Sequence, residues 1–233
     1  GPNDGIRLCD IRQCGVTGIV TALHQIPVGK VWSVDDIQER QRMIVEEGME
    51  WTVVESLPVH EDIKRKGGDY QQYISNYKKS LENLAECGLK VVAYNFMPIL
   101  DWVRTDHAFV NPDGTKALLF DEIAFIFFDV FLLKRRGAES DYSKDKVEEA
   151  SEYGKTLSQD QKDQLFKNVL LGLPGSDESF TPEKILELLG AYKGIDDQTL
   201  RCNLVHFLSE VAPVAERVGI KLAIHPDAPA LLL

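Results

Sequence analysis

Five side chains in this sequence sit at or just beyond the ends of short apolar runs, where reactive groups are usefully displayed: His24, Glu55, Asn95, Arg104 and His225. His225 closes the run Ile220-Lys221-Leu222-Ala223-Ile224 and is followed by Pro226-Asp227. A neutral imidazole there suits Mn²⁺, Fe²⁺ or Zn²⁺, and the proline stiffens the exit. The bland alternative is a rim histidine hydrogen-bonded to a neighbour. His24 ends Ile19-Val20-Thr21-Ala22-Leu23 and either contacts a substrate or fills the rim. Glu55 follows Val53-Val54. A carboxylate at the end of a buried run is costly unless it is paired or bound, so it orients a ligand, binds a hydroxyl or forms an ion pair with Lys or Arg. Asn95 can donate to a substrate oxygen or cap a turn. Arg104 offers a planar fork to a substrate carboxylate, or holds Asp101 or Asp106. His60-Glu61-Asp62 reads as a rim loop, functional or merely solvated. His107 reads as surface, His206 as helix packing and Lys134-Arg135-Arg136 as a solvated helix end. There is no Ser-His-Asp order, nucleophile elbow or HExxH motif.

The elements that would carry these groups form a weak repeat. Gly15, Gly48, Gly88 and Gly219 each precede a short apolar run that ends in a polar residue: His24, Glu55, Asn95 or His225. Each glycine fits a helix C-terminus, where the chain turns left-handed. Each run reads as a parallel strand buried on both faces. Helices are expected from Ser33 to about Glu47, from Tyr70 to Glu86, and from Leu200 to Arg217, with apolar residues at helical spacing. Strands alternating with helices indicate an α/β fold with a parallel sheet. No Gly-rich phosphate turn favours an open nucleotide-binding sheet. A polar residue at the C-terminal end of every strand favours a (β/α) barrel, whose active site lies on that rim. Four units are visible where a barrel has eight, so the expectation is the first half of one. We divide the chain into residues 1–100 (three βα units), 101–199 (an insertion) and 200–233 (a fourth helix–strand segment). In the insertion, Asn111-Pro112-Asp113-Gly114 is a strong turn signal joining a hairpin over 102–110 and 115–120. Helices are then expected over 121–133, 143–153, 158–171 and 181–192.

The 233 residues carry 26 Lys+Arg against 37 Asp+Glu, a net charge of −11 that argues against a general nucleic-acid or anionic-membrane binder. No apolar run approaches the roughly 18–20 residues of a bilayer span. Cys9, Cys14, Cys87 and Cys202 form no CxxC or zinc spacing and read as free thiols in a reducing, cytoplasmic setting.

Longer motifs then carry a resemblance. Thr21-Ala22-Leu23-His24, Val31-Trp32-Ser33-Val34, Trp51-Thr52-Val53-Val54-Glu55-Ser56, Val59-His60-Glu61-Asp62-Ile63-Lys64, Tyr94-Asn95-Phe96-Met97-Pro98-Ile99-Leu100-Asp101-Trp102, Arg104-Thr105-Asp106, Gly172-Leu173-Pro174-Gly175 and His225-Pro226-Asp227 occur in that order. Together they resemble the mannonate dehydratases over positions 1 to about 229. The resemblance implies a TIM barrel related to xylose isomerase and a hydro-lyase of hexuronate (glucuronate) catabolism. The reaction converts D-mannonate to 2-keto-3-deoxy-D-gluconate and water. It also implies a divalent metal, Mn²⁺ or Fe²⁺ rather than Mg²⁺, and a homo-oligomer, expected as a dimer. The family's metal is held by a His, a Cys, a second His and an Asp. The first of these corresponds to His225, and the other three have no counterpart in these residues. The family's catalytic His and Tyr likewise have none, so the 233 residues alone are expected to be inactive. His24, Glu55, Asn95 and Arg104 are expected to position the sugar acid. Two alternatives stay open: another metal-dependent sugar isomerase or epimerase on the same barrel, and a catalytically silent half-barrel.

Overall fold

The computed structural model describes residues 5–99, 103–170 and 181–226. The chain divides into two compact units, residues 1–98 with 194–226, and residues 99–193.

The first unit is built on a four-stranded parallel sheet in the order β1-β2-β3-β6: β1 (Gly18–Thr21), β2 (Glu50–Val54), β3 (Val91–Tyr94) and β6 (Lys221–Ile224). Its helices are α1 (Leu8–Gln13), α2 (Val34–Glu46), α3 (Glu61–Arg65), α4 (Tyr70–Glu86) and α9 (Asp197–Val218). Ser33 caps α2 by accepting from the Asp36 N–H, as its position before the amphipathic run requires. Gly219 takes φ 76° behind α9 and turns the chain back into β6. Helices and sheet enclose one core in which Ile37, Leu81, Leu84, Val54, Val92, Phe207 and Val211 are fully buried. Burying each such side chain contributes roughly 1.5–3 kcal/mol. Tyr77 of α4 meets Phe207 of α9 edge-on at 5.1 Å.

β3 is covered on both faces as the sequence suggests, with Val92, Ala93 and Tyr94 buried in succession, but β1, β2 and β6 are not. Val20 is 51% exposed and Ile224 55%, and Glu50, Thr52 and Ala223 are exposed too. The short apolar runs of these three resemble those of doubly covered strands, but one face of each is left open.

The pairing of β1 with β2 slips by one residue. Ile19 faces Trp51 and Val20 faces Val53, leaving Thr52 as the extra residue. Thr52 Oγ1 donates to the Ile19 carbonyl at 3.2 Å. A side chain at Gly18 would stand 2.9 Å from Thr52 Cγ2, so the glycine makes room for the bulge. Bulges of this kind re-aim the strand end that follows, which here carries Glu55.

One face of α4 holds the loop between β1 and α2. Asn76 Nδ2 donates to the Gly29 carbonyl at 2.8 Å, the Trp32 N–H donates to Ser80 Oγ at 3.0 Å, and Asn83 Nδ2 donates to the Trp32 carbonyl at 2.7 Å. Gly29 adopts φ 86°, and a Cβ there would lie 2.5 Å from the Tyr73 ring. Trp32 is 1% exposed.

The second unit has an antiparallel hairpin, β4 (Asp106–Val110) and β5 (Lys116–Leu119), closed by the Asn111-Pro112-Asp113-Gly114 turn. Thr115 donates to Asp113 through both its N–H and its hydroxyl. The helices are α5 (Glu122–Phe127), which runs on as a wider π-helical turn over Phe128–Leu132, then α6 (Lys144–Thr156), α7 (Gln159–Leu170) and α8 (Pro182–Gly190). Phe125, Ile126, Phe128, Ala150 and Ile185 form its core. Gly154 has no side chain because the Phe127 ring occupies that place, 1.9 Å from where a Cβ would stand.

The basic run 134–136 is not simply a solvated helix end. Arg135 bonds Asp129 through Nε and Nη2 and pairs with Asp141 through Nη1, while the Tyr142 hydroxyl donates to Asp129. Asp129 is 2% exposed, so its charge is held by these partners rather than by water. His107 is not a free surface residue either. Its Nε2 lies 2.9 Å from the Asn168 carbonyl, and Asn168 Nδ2 donates to the Thr105 carbonyl.

Candidate active site

The C-terminal ends of β2, β3 and β6 bring three of the expected residues together. β3 lies between β2 and β6, so Glu55 and His225 flank the strand that ends in Asn95. Backbone bonds continue the ladder past the strand ends. The Glu55 N–H donates to the Thr21 carbonyl, the Leu57 N–H to the Ala93 carbonyl and the His225 N–H to the Tyr94 carbonyl. From opposite sides of β3, Glu55 Oε1 and His225 Nε2 meet at 3.4 Å. The other ring nitrogen of His225, Nδ1, lies 3.0 Å from the Pro226 carbonyl. Asn95 Oδ1 is buried and finds no hydrogen-bond partner among the described residues. Buried polar atoms are nearly always paired, so an orphaned acceptor at a strand end calls for a donor from elsewhere.

His24 lies exposed in the turn three residues beyond Thr21, the last residue of β1, and partial desolvation holds its pKa below the ordinary histidine value. It is therefore a neutral imidazole near pH 7, able to donate from one nitrogen and accept at the other. Arg104 belongs to the second unit. Its Nη1 donates to the Val103 carbonyl at 2.6 Å, and burial lowers its pKa from the usual guanidinium value. His60 is not on an open loop. It caps α3, its Nδ1 accepting from the Asp62 N–H, and its ring stacks on Tyr73 at 3.7 Å. His206 packs edge-on against Tyr70 at 6.0 Å, in keeping with a packing role. Asp227 and Asp101 lie outside the described residues.

The donor set suits a divalent cation of intermediate hardness. The imidazole nitrogen of His225 is a ligand that Mn²⁺ or Fe²⁺ accepts. Among the described residues no three of His, Cys, Asp and Glu gather into a complete metal site. The four cysteines are free, and none belongs to this cluster.

Sequence comparison agrees with the strand-end motifs. The family described as D-mannonate dehydratase (UxuA) matches residues 1–232. The chain belongs to the D-mannonate dehydratase family. It is 53% identical over 229 residues to a mannonate dehydratase of Marinomonas sp. (strain MWYL1), covering 98% of this chain and 59% of that protein. It is 51% identical over 229 residues to the mannonate dehydratase of Chromohalobacter salexigens, with the same coverage of 98% and 59%. Among solved structures, the crystal structure of mannonate dehydratase from Streptococcus suis serotype 2 matches with a TM-score of 0.68 at 31% identity, over 98% of this chain and 52% of that one. The chain thus spans a little over half the length of the mannonate dehydratases it matches.

Sequence reasoning missed a residue that holds this rim in place. Lys64 is 6% exposed, and its ammonium donates to Glu61 and, at 2.7 Å, to the Met97 carbonyl. It thereby ties α3 to the segment that follows Asn95. Asn203 of α9 donates to the Lys64 carbonyl at 2.8 Å. The available signal was Asn203 itself, a polar residue four positions before Phe207 on a face that continues through Val211 and Ala215.

Proposed function

We propose that the complete protein carrying this chain dehydrates D-mannonate to 2-keto-3-deoxy-D-gluconate, and that the parallel sheet described above is the first part of a (β/α) barrel. Family membership supports the reaction. The observation that ties it to these residues is the meeting of Glu55 and His225 from either side of β3, the strand that runs on into Asn95, whose buried oxygen finds no partner among the described residues.

The reaction removes the C2 proton beside the carboxylate and expels the C3 hydroxyl. A base takes the first and an acid protonates the second. The family's acid and base correspond to none of these residues, so the rim described here binds and orients. His225 would hold a divalent cation, Mn²⁺ or Fe²⁺. When bound, that ion acts as a Lewis acid toward the oxygens of the sugar acid. Asn95 Oδ1 accepts from a substrate hydroxyl, which satisfies the atom that the fold leaves unpaired. Neutral His24, at the neighbouring end of the sheet, supplies a further donor and acceptor for the polyol. Lys64 keeps the segment after Asn95 fixed, so the amide is aimed before substrate arrives.

The test is direct. The complete protein is incubated with D-mannonate and Mn²⁺, and the 2-keto-3-deoxy acid is measured against time. Product is expected, and chelation of the metal should abolish it. No product with Mn²⁺, Fe²⁺ or Mg²⁺ would refute the reading, and an isomerised sugar acid with no loss of water would replace it.

A further inference from the structure

We propose that Asn203 of α9 is a positioning residue for the sugar acid, acting through Lys64 and the Met97 carbonyl to aim Asn95. The inference deepens the functional reading above and rests on it.

α3 cannot hold its own place. Its five residues are far fewer than a helix needs to persist alone in water, and its last carbonyls lack intrahelical donors. Asn203 Nδ2 supplies one such donor, reaching the Lys64 carbonyl at 2.8 Å. From the same lysine the ammonium extends to the Met97 carbonyl at 2.7 Å, two positions beyond Asn95. Asn203, Lys64 and Met97 are 6%, 6% and 4% exposed. Severing either bond would leave a buried polar group unpaired, so the two bonds act in series from α9, through α3, to the end of β3.

α9 also holds the neighbours of Asn95 directly. Phe207, one turn along from Asn203, meets the Tyr94 ring at 6.0 Å and the Phe96 ring at 5.8 Å. Asn95 therefore lies between two residues packed on one side chain of α9, and the residue after Phe96 is tied to that helix through Lys64. Apolar packing is non-directional, whereas hydrogen bonds fix orientation, so the relay through Lys64 sets how the segment is turned. α9 then passes through Gly219 into β6, the strand that ends beside His225. One helix thus places Asn95 relative to that strand. The competing account is that the two buried bonds stabilise the fold and do nothing more.

The experiment uses the complete protein with Mn²⁺ and D-mannonate. Asn203→Leu, Asn203→Asp and Lys64→Met are each made alone and together with Asn95→Leu, and circular dichroism checks that each variant is folded. Asn203→Leu should lower kcat/KM about 10-fold, a fraction of what a misplacement of about 1 Å can cost. Asn203→Asp keeps the shape without the donor, should act in the same direction, and remains informative if the leucine variant does not fold. In the Asn95→Leu background each substitution should change kcat/KM by less than about twofold, because the amide it aims is gone. Equal losses in both backgrounds would show a general structural effect and overturn the proposal. Values for Asn203→Asp and Lys64→Met within about twofold of the unaltered protein would overturn it as well. If the unaltered protein does not dehydrate D-mannonate, the functional reading fails and the relay falls with it. If it does, only the role of Asn203 is at stake.

Discussion

Replacing Asn95 by Leu should make the substrate-free protein more stable and the enzyme worse. Asn95 Oδ1 is buried without a partner among the described residues at the end of β3, between Tyr94 and Phe96, which are 6% and 7% exposed. An unsatisfied buried acceptor costs about 1–3 kcal/mol, and an apolar side chain of similar size removes that cost. Each kcal/mol moves the Tm by about 2–4 °C in chains of 150–250 residues and by less in a longer protein, so the variant should melt a degree or more higher. The same oxygen is the group we assign to a substrate hydroxyl. Its loss should lower kcat/KM about 10–100-fold, the equivalent of roughly 1.4–2.8 kcal/mol. Thermal unfolding of the complete protein with and without D-mannonate, followed by steady-state kinetics, reads both effects. The variant should start higher and gain less from the sugar acid. A variant that melts lower than the parent would show that the oxygen already has a partner in solution, such as a buried water. A variant with kcat/KM within twofold of the parent would show that the substrate is not that partner. Either result refutes the reasoning.

Two further substitutions test other parts of the description. Asp129→Ala strips the carboxylate from Arg135 and Tyr142 at a site that is 2% exposed, and should destabilise by about 3–5 kcal/mol, read as a lower urea midpoint at constant slope. His60 must be neutral at Nδ1 to cap α3, and burial lowers its pKa, although Asp62 and Glu61 nearby act in the raising direction and Arg65 and Lys64 in the lowering one. A base with a depressed folded pKa adds stability that is complete above the unfolded value of about 6.5 and is lost as pH falls below it. His60→Asn retains a capping group without the titration. The variant should therefore flatten that part of the stability curve between about pH 7 and 5, and an unchanged slope would exclude His60 as its source.

Much of the scaffold was legible in the sequence because it is local. The apolar spacing of Tyr73, Tyr77, Leu81 and Leu84 places a helix over Tyr70–Glu86, which is where α4 lies. Gly48, Gly88 and Gly219 all adopt positive φ just behind helices, as their places before the apolar runs require. The strand-end positions of Glu55, Asn95 and His225 were legible too, but their mutual geometry was not. The 3.4 Å approach of Glu55 to His225 depends on a one-residue bulge and on strand order, neither of which is written in local periodicity. Arg135 read as part of a solvated helix end because its pairing with Asp129 depends on a π-helical turn. His60 looked like part of a polar loop because its roles, cap and ring stack, need Tyr73 of another helix.

The bonds from Asn76, Ser80 and Asn83 to the loop that follows β1 have a consequence for recognition. These residues line one side of a single helix and treat the loop backbone almost as an extra strand, without a sheet to receive it. The loop's conformational entropy is therefore lost when the chain folds, not when a sugar acid arrives. Under the function proposed above, a wall organised in advance adds little ordering cost to each binding event.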